Sequence, residues 1–216
     1  MKIKAVIFDL DGTLANTLPL CIRAFKESVQ PLLQRTLSDE EIVATFGPSE
    51  EGTIMALVPG HYNEGVSSYL HLYAELHSMC PAPFEGMPEI LQMLKQKNVP
   101  VAMVTGKGEH STAISLKYFS LADYFSMIET GSPLGPRKVQ GIQAVLKAWP
   151  EIDKREVIYV GDAPSDITAS RTAGISVVAA AWASTANAEI LESMIPDALF
   201  LNIQAFSNWL IDNIEK

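Results

Sequence analysis

The chain has 216 residues, of which 48% are apolar, so it is long enough for one large domain or for a core with an insertion. A formal charge of −9 argues against a nucleic-acid partner, because phosphate backbones require a basic protein surface. We find no apolar run of about 18 residues, which would predict a membrane span, and no signal-peptide cleavage region, so we expect a cytoplasmic protein without a membrane partner.

The first predicted strand covers residues 3–8 and ends at two carboxylates one residue apart, Asp9 and Asp11. Successive residues of a strand point to opposite faces, so these carboxylates can converge only if the strand ends near Asp9 and the chain turns at Gly12. Ligands of open α/β sheets bind beyond the carboxyl ends of the strands. An acidic turn is common at a strand end, and the functional interpretation therefore depends on matching signals downstream.

A helical block, residues 16–81, follows this strand. Apolar residues recur at helical spacing in 19–33 and in 66–79. Residues 38–41 have the sequence of a capping box, and Ser49 is a candidate cap for another helix. The block therefore separates the first strand from the remaining strands.

From Phe84 onward, helices alternate with short apolar strands, which is typical of parallel βαβ units. The sequence predicts a doubly wound, mainly parallel α/β sheet formed by residues 1–15 and 82–216. The predicted helices are 87–98, 111–119, 139–148, 166–173 and one from 204, and the predicted strands are 99–104, 125–129, 157–160, 177–181 and 198–203.

Two polar signals lie after the helical block. Thr105 and Gly106 follow a predicted strand and open onto a helix, where a hydroxyl and free backbone N–H groups suit an anion such as phosphate. Lys138 stands just before a helix, where a lysine opposes the macrodipole and needs a compensating anion. Its neighbour Arg137 leaves the choice of cation open.

The last signal is a strand that ends in Gly-Asp, at Asp162, and a second aspartate, Asp166, that begins the next helix. On a parallel sheet Asp9, Asp11, Asp162 and Asp166 would crowd one edge, and they would raise each other's pKa values unless a cation neutralised them. Oxygen ligands fit Mg²⁺. The scattered histidines offer no zinc site, and the two cysteines lack the spacing of a disulfide framework.

These motifs resemble those of the haloacid dehalogenase superfamily, in its phosphoglycolate phosphatase and pyrophosphatase-like branch. The resemblance implies a Rossmann-like core with an inserted all-helical cap, here residues 16–81. It also implies a Mg²⁺-dependent phosphatase of small phosphorylated metabolites, phosphoglycolate first, with pyrophosphate or a sugar phosphate as the alternative. The oligomeric state is left open between monomer and homodimer. The motifs that carry the resemblance are Asp9-Leu10-Asp11-Gly12-Thr13, then Thr105, then Lys138, then Gly161-Asp162-Ala163-Pro164-Ser165-Asp166.

The resemblance assigns roles to these residues. Asp9 would attack phosphorus and form an aspartyl-phosphate, and Asp11 would protonate the leaving oxygen and then activate water. Thr105, Gly106 and Lys138 would hold the phosphoryl oxygens.

The same resemblance implies a magnesium site and a contact from the cap. Mg²⁺ would be held by Asp9, by the backbone carbonyl of Asp11, by Asp162 and, directly or through water, by Asp166. The loop Gly47-Pro48-Ser49 is our candidate for a substrate-facing cap segment, although a simple helix break explains it equally well.

Four other functions fit less well. Dehalogenases proper have no acid at the position of Asp11, because halide leaves without a proton. A phosphonate hydrolase would need an imine-forming lysine, and nothing marks Lys26, the only lysine in residues 16–81, for that role. A signalling receiver carries its acceptor aspartate on a middle strand and has no helical insertion. Intact Asp9 and Asp11 argue against a phosphate-binding regulator that has lost catalysis.

Overall fold

A computed structural model of the protein describes residues 2–214. Within them, six strands form one sheet in which every neighbouring pair is parallel, in the order β3-β2-β1-β4-β5-β6. The predicted parallel α/β sheet is therefore confirmed. The strands are β1 (Ala5–Phe8), β2 (Val101–Val104), β3 (Met127–Glu129), β4 (Val157–Gly161), β5 (Ser176–Ala180) and β6 (Ala198–Phe200).

The described residues also form ten α-helices. Their bounds lie within a few residues of the predicted ones, except that α4 begins at Tyr62 rather than Val66 and that α9 was not predicted. The helices are α1 (Leu18–Leu33), α2 (Asp39–Val43), α3 (Glu50–Leu57), α4 (Tyr62–Glu75), α5 (Met87–Gln96), α6 (Glu109–Phe119), α7 (Lys138–Ala148), α8 (Pro164–Ala173), α9 (Ala188–Ser193) and α10 (Ile203–Asn213).

Strand β1 lies at the centre of the sheet and is buried along its whole length. Its side chains alternate between two apolar layers: Val6 and Phe8 pack in the layer that contains α5, α6 and α10, and Ala5 and Ile7 pack in the layer that contains α7 and α8. Helices therefore cover both faces of the sheet, which explains why its inner strands are continuously apolar rather than alternating.

The register places the ends of three strands side by side. Phe8, the last residue of β1, pairs with Met103 of β2 and with Val160 of β4. Strands β2 and β3 lie on one side of β1, and the later strands β4, β5 and β6 lie on the other side. The direction in which strands are added to the sheet therefore reverses between β1 and β4. Such a switch point opens a crevice at the carboxyl edge of the sheet.

Residues 16–81 contain α1 to α4 and no strand. The predicted capping box is present, because Ser38 Oγ accepts a hydrogen bond from Glu41 N at 3.1 Å and Glu41 Oε2 accepts one from Ser38 N at 2.8 Å. The block shares one continuous apolar cluster with the sheet. That it acts as a separate cap domain stays a prediction.

None of the helices in residues 2–214 is both long enough and apolar enough to cross a lipid bilayer. Cys21 and Cys80 are both buried free thiols, as expected from the absence of a disulfide spacing.

Candidate active site at the carboxyl edge of the sheet

Three aspartates meet where β1 and β4 end. One carboxylate oxygen from each of Asp9, Asp162 and Asp166 lies within 4.8 Å of the other two. Asp9 follows β1 directly and its N–H still donates to Val160 O at 2.9 Å, while Asp166 lies in the first turn of α8. The spatial convergence expected from the strand ends is thus present for these three residues.

Two glycines make this convergence possible. Gly12 has a φ of +74°, and a Cβ atom there would lie 2.0 Å from Asp162 Oδ2. A Cβ atom on Gly161 would lie 2.4 Å from Asp166 Cγ. A side chain at either position would displace a carboxylate of the site, and at Gly12 it would also strain the left-handed backbone.

Lys138 is the cation of this carboxylate group. Its Nζ lies 2.5 Å from Asp9 Oδ2 and 2.5 Å from Asp166 Oδ1. Arg137, the alternative that the sequence left open, turns away and donates to Glu129 Oε2 at 2.9 Å. Lys138 is the first residue of α7, so the anions that offset its unfavourable position at a helix N-terminus are Asp9 and Asp166.

The carboxylates are held in an environment that disfavours negative charge. Burial, together with Asp166 and Asp11 and against the effect of Lys138, raises the pKa of Asp9 to about 6. Burial, followed by the charges of Asp166 and Asp9, raises the pKa of Asp162 to about 8. One ammonium group therefore does not balance the site, and a further cation would favour ionisation of Asp9 and Asp162.

An oxygen-binding divalent cation fits this donor set. The group offers carboxylate oxygens from Asp9, Asp162 and Asp166 and contains no sulfur or imidazole, which is the ligand chemistry of Mg²⁺ rather than of Zn²⁺. Thr13 Oγ1 donates to Asp162 Oδ1 at 3.3 Å and helps to orient it.

The carboxylate of Asp11 was expected to join this group, but it lies outside the group and is held separately. Its Oδ1 accepts a hydrogen bond from Thr17 Oγ1 and lies 3.3 Å from Lys107 Nζ. The residue still borders the same cavity as Asp9. Asp11 is therefore positioned for a role different from that of the three clustered aspartates.

Lys107 is a site residue that the sequence did not reveal. Its ammonium is buried and contacts four groups: Asp11, Glu50 at 3.4 Å, Cys21 Sγ at 3.2 Å and the ring of Tyr73 at 4.3 Å from its centroid. Burial opposes the charge, but Asp11 and the other neighbours raise the pKa of Lys107 well above its ordinary value. The signal was present, since Lys107 directly follows the Thr-Gly turn, but its partners lie far away in sequence.

The strand-Thr-Gly turn lies at the carboxyl end of β2. Thr105 N donates to Glu129 O at 3.0 Å, and Thr105 Oγ1 accepts from Lys107 N at 3.2 Å. Thr105 and Gly106 both border the cavity that Asp9 borders. They can therefore reach a ligand that also reaches Asp9.

The cavity has a volume of about 260 Å³ and lies between the sheet edge and the helical block. Gly47 and Pro48 border it, and that they contact a substrate stays a prediction. Ser49 does not border it: this residue is buried, its N–H donates to Ser132 O at 2.9 Å and its Oγ donates to Glu51 Oε2 at 2.5 Å. Ser49 directly precedes α3 but its side chain makes no capping hydrogen bond, and its N–H ties the start of that helix to a core loop.

The fold and the site define an α/β enzyme whose polar residues gather at the switch point of a parallel sheet. Residues 6–180 match the haloacid dehalogenase-like hydrolase family, and the chain belongs to that family. A pyrophosphatase PpaX of Bacillus cereus is 30% identical over 202 residues, which cover 91% of this chain and 91% of that protein.

Solved structures agree on the fold. A haloacid dehalogenase-like family hydrolase from Streptococcus pneumoniae matches with a TM-score of 0.76 at 24% identity, over 96% of this chain and 98% of that one. A protein described as a predicted phosphoglycolate phosphatase, from Haemophilus somnus, matches with a TM-score of 0.78 at 21% identity, over 98% of each chain. At these identities the likeness supports the fold alone.

Proposed function

We propose that the protein is a Mg²⁺-dependent phosphatase of small phosphorylated metabolites, which carries the phosphoryl group on Asp9 during turnover. The observation that carries this proposal is the grouping of Asp9 with Asp162, Asp166 and Lys138 at the edge of the sheet. An aspartate beside cationic groups can act as a nucleophile toward phosphorus, because the same cations offset the charge of the phosphoryl oxygens.

In the first half of the reaction, a carboxylate oxygen of Asp9 forms a bond to phosphorus as the bond to the leaving oxygen breaks. Asp11 gives its proton to that leaving oxygen. The Thr105 hydroxyl, the Gly106 N–H and the Lys138 ammonium bind the phosphoryl oxygens that do not react.

In the second half, water attacks phosphorus and gives its proton to Asp11 while the bond from phosphorus to Asp9 breaks. This step releases inorganic phosphate and restores both carboxyl groups. The sum is one ester and one water converted to one alcohol and one phosphate. Mg²⁺ bound by Asp9, Asp162 and Asp166 with the Asp11 backbone carbonyl would supply further positive charge at the phosphoryl group.

The helical block serves as a cap in this proposal. Residues of α1, α3 and α4 and the loop at Gly47 and Pro48 border the cavity together with the catalytic residues. Such a cover excludes water that would compete with the acceptor and orients the leaving group. The names of the relatives suggest phosphoglycolate and pyrophosphate as candidate substrates, and sugar phosphates are a third candidate class.

The substitution Asp9→Asn tests the proposal. It should abolish Mg²⁺-dependent hydrolysis of an aryl phosphate, because the amide cannot attack phosphorus, and the circular dichroism spectrum should remain that of a folded protein. The matched control is Asp123→Asn, which removes an exposed carboxylate and should leave turnover unchanged. Turnover retained by Asp9→Asn would reject Asp9 as the nucleophile.

A further inference from the structure

The helical block forms one wall of the cavity, and this wall is mostly apolar. Leu18, Phe25, Phe46, Pro48 and Tyr69 all border the space. The ring of Phe25 lies 4.5 Å from the ring of Tyr69 and 5.8 Å from that of Phe46, measured between centroids. A leaving group that extends from the phosphoryl site toward the block therefore meets carbon surface and aromatic rings.

The charges that border the cavity are mainly negative. Glu50 is the one charged residue that the block contributes to the lining within the described residues, and it carries a carboxylate. Counted over the lining in residues 2–214, the charged groups are four carboxylates, Asp9, Asp11, Glu50 and Asp162, and two ammonium groups, Lys107 and Lys138.

Both ammonium groups already form ion pairs with carboxylates of the protein. Lys138 lies between Asp9 and Asp166 at 2.5 Å from each. Lys107 lies between Asp11 at 3.3 Å and Glu50 at 3.4 Å, and its side chain is only 1% exposed. A second anionic group on the substrate would thus find no unpaired lysine in the lining.

Hydrogen bonds from the start of α6 hold the Glu50 carboxylate beside Lys107. Its Oε2 accepts from Gly108 N at 2.5 Å and its Oε1 accepts from Ser111 Oγ, both at the start of α6. The side chain of Glu50 is 9% exposed. The carboxylate therefore cannot leave Lys107 without losing hydrogen bonds at the helix terminus, which stabilise its charge.

We propose that this site selects phosphate monoesters whose leaving group is uncharged, and that Glu50 sets the selection by neutralising Lys107. The inference rests on the proposed phosphatase function and narrows its substrate class. A leaving group that bears a carboxylate or a second phosphate would be buried beside Glu50 without a compensating cation, which is unfavourable. The selection therefore disfavours phosphoglycolate and pyrophosphate, whose leaving groups are charged, and of the three candidate classes it favours phosphate esters of uncharged alcohols such as sugars.

A matched pair of substrates tests the selection: phenyl phosphate and 4-carboxyphenyl phosphate differ by one carboxylate on the leaving group. With Mg²⁺, the wild-type protein should show a kcat/KM at least about tenfold higher for phenyl phosphate, because like charges repel strongly in a partly buried site. Inorganic pyrophosphate should also be a poorer substrate than phenyl phosphate. Equal or faster turnover of the carboxylated ester or of pyrophosphate would overturn the inference.

The role of Glu50 is tested with Glu50→Gln, which keeps an oxygen acceptor for the α6 terminus and leaves Lys107 paired with Asp11 alone. In this variant the ratio of kcat/KM for phenyl phosphate to kcat/KM for 4-carboxyphenyl phosphate should fall severalfold. The same ratio should not change in the control Glu64→Gln, since Glu64 is an exposed residue of the helical block that pairs with His61. An unchanged ratio in a folded Glu50→Gln protein would overturn the role of Glu50. Should that variant fail to fold, the wild-type ratio still decides the selection.

Failure of the inference differs from failure of the proposed function. Turnover of both esters with no preference, or with the reverse preference, would refute the selection and leave the phosphatase proposal intact. Absence of Mg²⁺-dependent turnover of every ester and of pyrophosphate would refute both.

Discussion

Replacing Asp162 by Asn should stabilise the metal-free protein at pH 8, although it removes a residue of the proposed metal site. The folded state holds this carboxyl group with a pKa of about 8, against 3.8 in its ordinary environment. Between these values the folded state binds more protons than the unfolded state, so the free energy of unfolding falls as the pH rises. Asp9, with a pKa of about 6, acts in the same direction.

The pKa values give the size of the effect. A change from 3.8 to about 8 corresponds to at most roughly 6 kcal/mol of lost stability once the pH exceeds the folded-state pKa. Mg²⁺ should reverse the loss, because it binds the ionised carboxylates of the folded state. At a concentration of about 100 times its Kd, it would contribute about 2.7 kcal/mol, which corresponds to a rise in Tm of roughly 5–10 °C for a chain of this length.

Differential scanning calorimetry at pH 5 and pH 8, with EDTA or with Mg²⁺, measures both effects. The wild-type protein should gain a larger Tm increase from Mg²⁺ at pH 8 than at pH 5, since protons compete with the metal at the lower pH. Asp162→Asn should lose most of the Tm increase that Mg²⁺ produces. In EDTA at pH 8, the Tm of this variant should be higher than that of the wild type. The control Asp212→Asn, at an exposed position of α10, should behave as the wild type. An equal Mg²⁺ effect at both pH values, or one that survives in Asp162→Asn, would refute the reasoning.

Two further substitutions probe the supports of the site. Lys138→Met should lower kcat/KM by at least about a hundredfold, because it removes a group that stabilises transition-state charge. Arg137→Met should keep a kcat/KM near that of the wild type, because Arg137 pairs with Glu129. Equal losses of kcat/KM in both variants, measured by steady-state kinetics, would contradict the assignment of Lys138. Gly12→Ala should lower the free energy of unfolding by about 1–3 kcal/mol and weaken Mg²⁺ binding, because its Cβ would meet Asp162 Oδ2 at 2.0 Å. Gly60→Ala, where a Cβ has no neighbour within 4 Å, is the matched control in denaturant titrations, and a Gly12→Ala protein as stable as this control would argue against the close approach.

The clustered aspartates were predictable because their positions follow from the sheet. A parallel sheet brings the carboxyl ends of its strands to one edge, so Asp9 and Asp162, each directly after a buried strand, had to meet there. The residues alone left Lys138 and Arg137 open, since the two are adjacent, and only the family resemblance pointed to Lys138. The structure shows that the Lys138 side chain faces Asp9 and that the Arg137 side chain faces Glu129.

The pairing of Lys107 with Glu50 could not be predicted in the same way. It joins the first turn of α3 to the start of α6, and hence depends on how the helical block docks on the sheet, which no local periodicity encodes. An acid such as Glu50 at a helix start is also an ordinary helix-stabilising residue. Helix α9 was missed because it is short, although Asn187 Oδ1 accepts from Ile190 N at 3.1 Å and caps it.

The most direct test of the account is to find the phosphoryl group on the protein. Acid quench during steady-state turnover of an aryl phosphate with Mg²⁺, followed by proteolysis and mass spectrometry, should reveal a phosphorylated peptide that contains Asp9, and borohydride reduction should mark that residue as the acyl-phosphate. The same treatment of Asp9→Asn should yield no such peptide. A phosphoryl group attached to any other residue in the wild-type protein would contradict the assignment of Asp9 as the nucleophile.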